Sequence, residues 1–193
     1  DTIFNGDPMT CNMKKLMLPD FFQASEVPIV HKFYRNYFKD CYVCGDVDYI
    51  FGPNTAFFDH CEIHSIARVS EGKAYITAAS TPAGQEFGLV FSHCRITGEE
   101  PDSVYLGRPW RDCAKTAFIC CELGDHICPE GWQNWGKVRA EVLSDYIEYG
   151  NFGPGADCSG RSPLSRCLVN PEVETYFSKE NVLVGEDGWI PAE

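Results

Sequence analysis

The 193-residue sequence is short of basic residues: 16 Lys and Arg stand against 28 Asp and Glu, which gives a formal charge of −12. Proteins that bind nucleic acid need a basic surface for the phosphates, so this deficit argues against a nucleic-acid partner. No run approaches the roughly 18 apolar residues that a membrane-spanning helix requires. Asp1 to Thr10 also lack the basic-then-apolar order of a signal peptide. Neither nucleic acid nor a membrane is an expected partner.

Helical periodicity is scarce as well. Amphipathic spacing of apolar residues is absent over most of the chain, and only Pro171 to Lys179 favours a short helix. Instead, short segments rich in β-branched and aromatic residues alternate with turn-forming Gly, Pro, Asn and Asp, as at 52–54 and 81–84. These patterns predict an all-β protein. The 44% of hydrophobic residues are enough for a folded core.

The sequence has one Cys-x-x-Cys pair, Cys41 and Cys44, and lacks a second pair or a His cluster at zinc-finger spacing. A metal site is therefore not expected. The eleven cysteines are an odd number, so at least one has no partner within the chain. A chain of this length can build a core without disulfides, and unpaired cysteine behaves as a small hydrophobic residue. Both points favour a buried structural role for most of the cysteines.

Four segments repeat one pattern, in which an aromatic residue is followed three positions later by cysteine and then by an aliphatic residue two positions on. They are 37–43, 57–63, 90–96 and 117–123, with the cysteines Cys41, Cys61, Cys94 and Cys121. Successive cysteines are 20, 33 and 27 residues apart, and a weaker fifth copy at 146–152 places Gly150 at the cysteine position. Irregular steps of this size predict coils of a solenoid separated by loops of different lengths.

A repeat made of short strands predicts a right-handed parallel β-helix, and a β-sandwich with regularly spaced strands is the alternative. One cysteine per coil would then stack into an interior column. The aromatic residue and the cysteine are three positions apart, so simple alternation cannot bury both, and we expect a bend between them. Residues 1–33 carry no copy of the repeat and are expected to form a long excursion before the coils.

Two segments hold polar side chains that could carry chemistry. Asp48 lies within the apolar segment 47–51, where an ionised carboxylate needs a cationic or hydrogen-bonding partner. It is interpreted either as a catalytic acid or as a paired structural acid. Arg108 and Trp110 belong to the turn 106–110 and could hold a carboxylate and stack on a sugar ring, respectively. Spacing alone equally allows Arg108 as a surface charge and Trp110 as a core residue.

These segments resemble signatures of the pectin methylesterase (pectinesterase) family. Gly45-Asp-Val-Asp-Tyr-Ile-Phe-Gly52 is similar to the family's G-x-V-D-F-I-F-G segment, and Tyr105-Leu-Gly-Arg-Pro-Trp110 is similar to its L-G-R-P-W segment. Further segments that resemble the family follow in its order, at 74–81, 124–127, 129–136, 149–156 and 180–191. The resemblance covers about residues 35–193 and implies a right-handed parallel β-helix.

The family's remaining signature is Q-D-T-L-[YF], which Asp1-Thr-Ile-Phe4 resembles from its second position onward. By this resemblance Asp48 is the nucleophile, and Asp1 is the acid that protonates departing methanol and then the base that activates water. Arg108 would keep the Asp48 carboxylate ionised and aimed, and Trp110 would stack on a galacturonate ring. The resemblance implies neither a metal nor an organic cofactor.

The resemblance implies a hydrolase that removes methyl groups from methyl-esterified homogalacturonan (pectin), giving pectate and methanol. The charge of −12 favours highly methylated, nearly neutral pectin as the ligand, because a polyanion would be repelled. The glutamines that stabilise the oxyanion in this family lie upstream of Asp1 in its pattern. We therefore expect this chain to be the C-terminal portion of such an enzyme and, by itself, weakly active or inactive.

The expected organisation is one partial β-helix domain over 1–193, N-terminally truncated, with an inserted loop or lid at 5–33 of the kind some bacterial members carry. The tail at 171–193 is expected to pack on the coils. The full-length protein is expected to be monomeric and extracellular or associated with the cell wall. The histidines beside the repeats are interpreted as structural or solvated, and two tryptophans as lining the groove or packing its floor: His60, His64, His93, Trp132 and Trp135.

Two other functions stay open. One is a pectin-binding module that keeps the groove and Trp110 but has no turnover. The other is a polysaccharide lyase or glycosidase on the same fold, which calls for calcium-binding carboxylates, a positioned base or a carboxylate pair about 6.5–9.5 Å apart. The segment 106–110 favours the esterase over the lyase or glycosidase.

Overall fold

The computed structural model describes the backbone of residues 2–5 and 16–17, and residues 35–68, 71–185, 187–189 and 191. The strands in these ranges are β1 Thr2–Asn5, β2 Leu16–Met17, β3 Arg35–Lys39, β4 Tyr42–Gly45, β5 Val47–Gly52, β6 Thr55–Asp59, β7 Glu62–Ser65, β8 Ala74–Ala79, β9 Leu89–Ser92, β10 Arg95–Gly98, β11 Val104–Gly107, β12 Lys115–Ile119, β13 Glu122–Leu123, β14 Asp145–Tyr149 and β15 Ser165–Leu168. The helices are α1 Ala140–Leu143, α2 Glu172–Tyr176 and α3 Lys179–Leu183, with a 3₁₀ turn at Cys158–Gly160. Of these helices, α2 lies in the segment predicted to be helical.

The strands form three parallel sheets, through which the chain passes in turn. The sheet orders are β1-β3-β6-β9-β12-β14-β15, β4-β7-β10-β13 and β2-β5-β8-β11. The coils that begin at β3, β6 and β9 each contribute one strand to every sheet. Stacked coils with parallel strands in register are a parallel β-helix. The predicted fold class is thus confirmed, and the β-sandwich alternative is wrong.

A sharp corner in each coil explains the Phe-x-x-Cys spacing. The residue before each repeat cysteine has a positive φ of 52–53°: Asp40, His60, His93 and Cys120. This left-handed conformation turns the chain, so the aromatic residue before the corner and the cysteine after it both point inward. Phe58 is 0% and Cys61 is 1% exposed. The expected bend is confirmed.

The buried residues form columns along the axis of the helix. The rings of Phe38, Phe58, Phe91 and Phe118 stack with centroids 4.6, 4.6 and 4.5 Å apart. Beside them stand the four repeat cysteines, whose thiols donate to backbone carbonyls, as Cys94 Sγ does to Phe58 O at 3.3 Å. The predicted interior cysteine column is confirmed. Stacked aromatic pairs add about 0.5–1.5 kcal/mol each beyond their buried area.

The fifth copy of the repeat is out of register by one residue from the sequence prediction. Phe118 pairs with Glu148 and Ile119 with Tyr149, so Gly150, with φ 63°, continues the row of left-handed corners and not the cysteine column. Asn151 takes the cysteine position, where its Oδ1 accepts from Cys121 N at 2.9 Å. Glycine adopts positive φ without strain, which suits it to the corner.

The C-terminal helices pack on the outside of the seven-stranded sheet. Val182 and Leu183 of α3 are buried against Tyr37 and Phe57, with Val173 and Phe177 packed beside them. Cys158 and Cys167 form a disulfide, which the sequence prediction missed. Within the described ranges, the helices are all too short to cross a membrane.

Candidate active site

Asp48 is displaced from its strand by a β-bulge. Val47 pairs with Tyr75 and Ile50 pairs with Thr77, so β5 contains one residue more than β8 over this stretch. Asp48 itself has φ 50°, a left-handed conformation that Asp tolerates better than most residues. Bulges of this kind redirect a side chain. Here the bulge allows Asp48 to stand 15% exposed while Tyr49, next in sequence, is completely buried.

Arg108 follows directly after β11, where a close backbone approach fixes its position. Arg108 N donates to Thr77 O at 3.0 Å. A Cβ added at Gly107 would overlap Thr77 Oγ1 and come within 3.1 Å of the Trp132 ring. Only glycine fits there. The backbone that carries Arg108 is therefore held against both the neighbouring strand and the core.

Asp48 in β5 and Arg108, directly after β11, form a bidentate ion pair across β8, the strand between them. Arg108 Nε donates to Asp48 Oδ1 at 2.9 Å, and its Nη2 donates to Oδ2 at 2.6 Å. The two side chains are 15% and 16% exposed. A planar guanidinium bonded through two parallel hydrogen bonds fixes the orientation of a carboxylate as well as its charge. The structure thus brings together two of the predicted site residues, 60 positions apart.

Aromatic rings surround this ion pair. The guanidinium carbon of Arg108 lies 3.8 Å from the ring centroids of both Tyr75 and Trp135. Trp110, the third predicted residue, is partly exposed with its ring 5.5 Å from that of Phe51. Cation–π contacts of this kind contribute about 0.5–2 kcal/mol. They restrict the rotamers of Arg108 and leave flat, partly exposed ring faces near the carboxylate.

Lys137 anchors the turn that carries Trp110. Its Nζ donates to Pro109 O at 2.6 Å and to Trp110 O at 2.8 Å, and it lies 4.6 Å from the Trp135 ring centroid. Partial burial, followed by the nearby Arg111 charge, lowers the pKa of Lys137 from its usual range. The lysine therefore ties the segment containing Trp135 to the segment containing Arg108.

A cleft of about 730 Å³ lies beyond Tyr105, and neither Asp48 nor Arg108 is part of its lining. Its lining includes Tyr105, Gln133, Asn134 and Glu141. Tyr105 stacks on Tyr75 with centroids 5.2 Å apart, and Tyr75 contacts Arg108. A chain of contacts through Tyr75 and Tyr105 thus connects Arg108 to the cleft.

Asp1, the predicted acid and base, lies outside the described residues. The strand that follows it, β1, pairs in parallel with β3. Sequence reasoning missed Tyr75 and Lys137 and left Trp135 undecided. Trp135 is 37% exposed against Arg108, whereas Trp132 is 2% exposed and belongs to the core. Both tryptophans fall in the resemblance segment 129–136, but no spacing rule distinguishes the inward one from the outward one.

The sequence model of the pectinesterase family matches residues 23–186 of the chain. Pectinesterase 31 of Arabidopsis thaliana is 40% identical over 140 residues, which is 72% of this chain and 43% of the relative. Pectinesterase 2 of Olea europaea is 36% identical over 145 residues, 75% of this chain and 38% of the relative. The chain spans less than half the length of these curated relatives.

Solved structures show the same similarity. Pectin methylesterase from carrot superposes with a TM-score of 0.72 and 30% identity over 80% of this chain and 52% of the carrot chain. A pectin methylesterase in complex with a hexasaccharide superposes with a TM-score of 0.65 and 27% identity over 81% of this chain and 53% of that one. Sequence and structure therefore agree on one relationship.

Proposed function

The chain belongs to the pectinesterase family, and on that premise we propose that it provides the nucleophile and its arginine for hydrolysis of pectin methyl esters. The observation that carries the proposal is the bidentate pair of Asp48 and Arg108 in an open, aromatic-lined site. The hexasaccharide bound to a family member supports an oligosaccharide ligand. The substrate would be methyl-esterified homogalacturonan and the products pectate and methanol.

In the proposed mechanism, an Asp48 oxygen attacks the ester carbonyl carbon and forms a covalent acyl-enzyme. The bond from that carbon to the methoxy oxygen breaks, and methanol leaves with a proton from an acid, the role proposed for Asp1. The same residue then accepts a proton from water as the water oxygen attacks the acyl carbon. The Asp48 carboxylate is regenerated. Division of labour between an ionised and a protonated acid requires two different environments.

Arg108 supplies the environment of the ionised acid. Its two hydrogen bonds hold both carboxylate oxygens, so attack would proceed along a direction set by the protein. The partly exposed ring of Trp110, and the cleft beyond Tyr105, would seat neighbouring sugar units of the polymer. The exposed ring and the cleft thus support a polymeric ligand over a small ester.

The decisive experiment compares the wild-type chain with Asp48→Asn. Methanol release from highly methylated homogalacturonan should fall by about 10³-fold or more in the variant, because the amide is not a nucleophile. Binding of a methylated oligogalacturonide, measured by calorimetry, should be retained. Asp46→Asn, two positions away in the bend between β4 and β5, is the matched control and should release methanol at the wild-type rate.

Other outcomes would separate the competing functions. Oligosaccharide binding without methanol release, by the wild-type chain and also by a chain extended upstream to include the family's oxyanion glutamines, would favour the binding module. Release of unsaturated or shortened oligosaccharides would show a lyase or a glycosidase instead. Equal methanol release by the wild type and Asp48→Asn would show that Asp48 is not the nucleophile.

A further inference from the structure

The left-handed corners form a row of metal-ligating side chains on the outer surface of the coils. Three of them, His60, His93 and Cys120, occupy the same position in successive coils. The imidazoles of His60 and His93 stack with centroids 5.2 Å apart and an interplanar angle of 7°. This row faces away from the buried Phe and Cys columns and is separate from the Asp48 site.

Helix α2 brings a carboxylate to the end of this row. His93 Nε2 lies 3.7 Å from Glu174 Oε1. The ligand atoms of His93, Cys120 and Glu174 all lie within 4.8 Å of one another. Ligand atoms around a tetrahedral zinc ion are roughly 3.4–3.6 Å apart, given bond lengths of about 2.0–2.3 Å. Small side-chain rotations would therefore close the three atoms around one ion.

We propose that His93, Cys120 and Glu174 form a zinc-binding site that fastens α2 to the outer surface of the coils. One imidazole, one thiolate and one carboxylate are a ligand set that zinc accepts, with water in the fourth position. The thiol proton of Cys120 passes to solvent when the metal binds. The site has no part in the ester chemistry, so it does not depend on the proposed function.

The conformation of Cys120 supports this assignment. The other corners carry Asp40, His60, His93 and Gly150, residue types that tolerate positive φ, whereas Cys120 adopts φ 52° without being one of them. Residues held in this region cost of order 1–3 kcal/mol and cluster where function requires them. Cysteine is thus the exception among these described corners, next to the carboxylate that α2 brings to both His93 and Cys120.

The surroundings of His93 allow the tautomer that a metal requires. Ser92 Oγ lies 3.0 Å from His93 Nδ1. A proton on Nδ1 that is donated to Ser92 leaves Nε2, the atom facing Glu174, with its lone pair free for a metal. Zinc-ligating histidines commonly hold their second nitrogen in this way. The ring is further fixed by the stack with His60.

Glu174 is also held in place independently of a metal. Its neighbours Val173 and Phe177 pack against the apolar cluster that contains Phe87 and Ile119. Tyr176 donates to Glu86 Oε1 at 3.0 Å. A cation bound between Cys120 and Glu174 would be attracted by both ligand atoms.

The test is calorimetric titration of the folded chain with zinc chloride, with the Cys158–Cys167 disulfide kept oxidised. One equivalent should bind to wild type, whereas Cys120→Ser and Glu174→Gln should each weaken the affinity by more than about tenfold. Ser92→Ala should weaken it by about 10-fold, the usual effect of losing an outer-shell partner. Cys113→Ser and Glu172→Gln are matched controls and should bind as wild type does. Magnesium should not bind, because it prefers oxygen ligands.

A second measurement guards against variants that fail to fold. Zinc should protect Cys120 of the wild-type chain from alkylation by iodoacetamide, as read by mass spectrometry of the Cys120 peptide, and magnesium should not. The proposal would be overturned if the wild-type chain did not bind zinc, or if Cys120→Ser and Glu174→Gln bound zinc with wild-type affinity. It would also be overturned if zinc left the rate of Cys120 alkylation unchanged.

Discussion

In the part of the chain that the structure describes, two bidentate Arg–carboxylate pairs can be compared, one at the candidate active site and one in the core. Asp48 and Arg108 are 15% and 16% exposed, whereas Glu148 and Arg161 are 2% and 4% exposed. Arg161 Nε and Nη2 donate to Glu148 Oε1 and Oε2 at 2.9 and 3.0 Å. The two pairs are alike in geometry and differ in what surrounds them.

The buried pair is enclosed by further hydrogen bonds. Trp132 Nε1 donates to Glu148 Oε1 at 2.9 Å, and Arg161 also donates to the carbonyls of Pro129 and Gly155. Asp48 hydrogen-bonds to Arg108 and is 15% exposed, beside the rings of Tyr75 and Trp135 that contact Arg108. A saturated buried charge holds parts of a structure together, whereas a carboxylate held on one side and open on the other can act on a ligand. The two pairs have similar geometry, and they differ in how many further hydrogen bonds surround the carboxylate and the guanidinium.

Among the variants considered, Glu148→Gln is expected to have the largest effect on stability. The variant leaves the Arg161 guanidinium buried without its counter-charge, which should lower the free energy of unfolding by about 3–5 kcal/mol. Asp48→Asn, at the more exposed pair, should lower it by about 1 kcal/mol or less. Denaturant unfolding of both variants measures the contrast. Equal losses would show that the two pairs do not differ in structural role.

His126 provides a contrast to the Glu148–Arg161 pair, because it is a buried titratable group that has a polar atom without a hydrogen bond among the described residues. The side chain is 1% exposed, and among the described residues its Nε2 has no hydrogen-bond partner. Burial, with a smaller effect of His64 in the same direction, lowers the pKa of His126 to about 4. The unfolded chain has a His pKa near 6.5, so the neutral, folded form is favoured above pH 6.5, and this advantage is lost as pH falls towards 4.

The wild-type chain should therefore lose up to about 3 kcal/mol more stability between pH 7 and pH 4 than a His126→Gln variant, which has no proton to gain there. Urea unfolding at a series of pH values gives the difference curve. A difference that does not change with pH would contradict the buried, neutral state of His126.

The smallest change is Arg108→Lys, which keeps the charge at the active site but removes the planar fork. Lysine cannot make the two parallel hydrogen bonds or stack on Tyr75 and Trp135 in the same way. Methanol release should fall by about 10²-fold through misplacement of Asp48. Arg111→Lys, in the same turn, is the control and should be near the wild type. A wild-type rate in Arg108→Lys would show that charge alone suffices.

The sequence predicted one of these pairs and missed the other for physical reasons. Asp48 stands out because its neighbours are apolar, so a carboxylate there demands a partner, and the resemblance to the pectinesterase family implied that the partner is Arg108. Glu148 was hidden by the fifth repeat, whose alignment was anchored on the cysteine column. The true register follows the left-handed corner, which places Glu148 in line with Phe118.

The parts of the structure that follow from the repeat were predictable, and those that depend on loops were not. A cysteine at the same position of each repeat was sufficient to predict the fold class, the interior cysteine column and the bend between the aromatic residue and the cysteine. Arg161, Trp135 and the Cys158–Cys167 disulfide lie outside the repeat, in segments whose paths are set by long-range contacts. Sequence spacing carries no information about such contacts.

The row of left-handed corners places side chains at regular intervals along the outer surface of the coils. Each turn of the solenoid adds one outward position at a fixed rise, as the 5.2 Å between the imidazoles of His60 and His93 shows. Asp40, His60 and His93 are exposed at these positions, whereas Cys120 also packs against the outer apolar cluster. Each coil can therefore present a different side chain at its corner, as Asp40, His60, His93 and Cys120 do, while the fold stays the same.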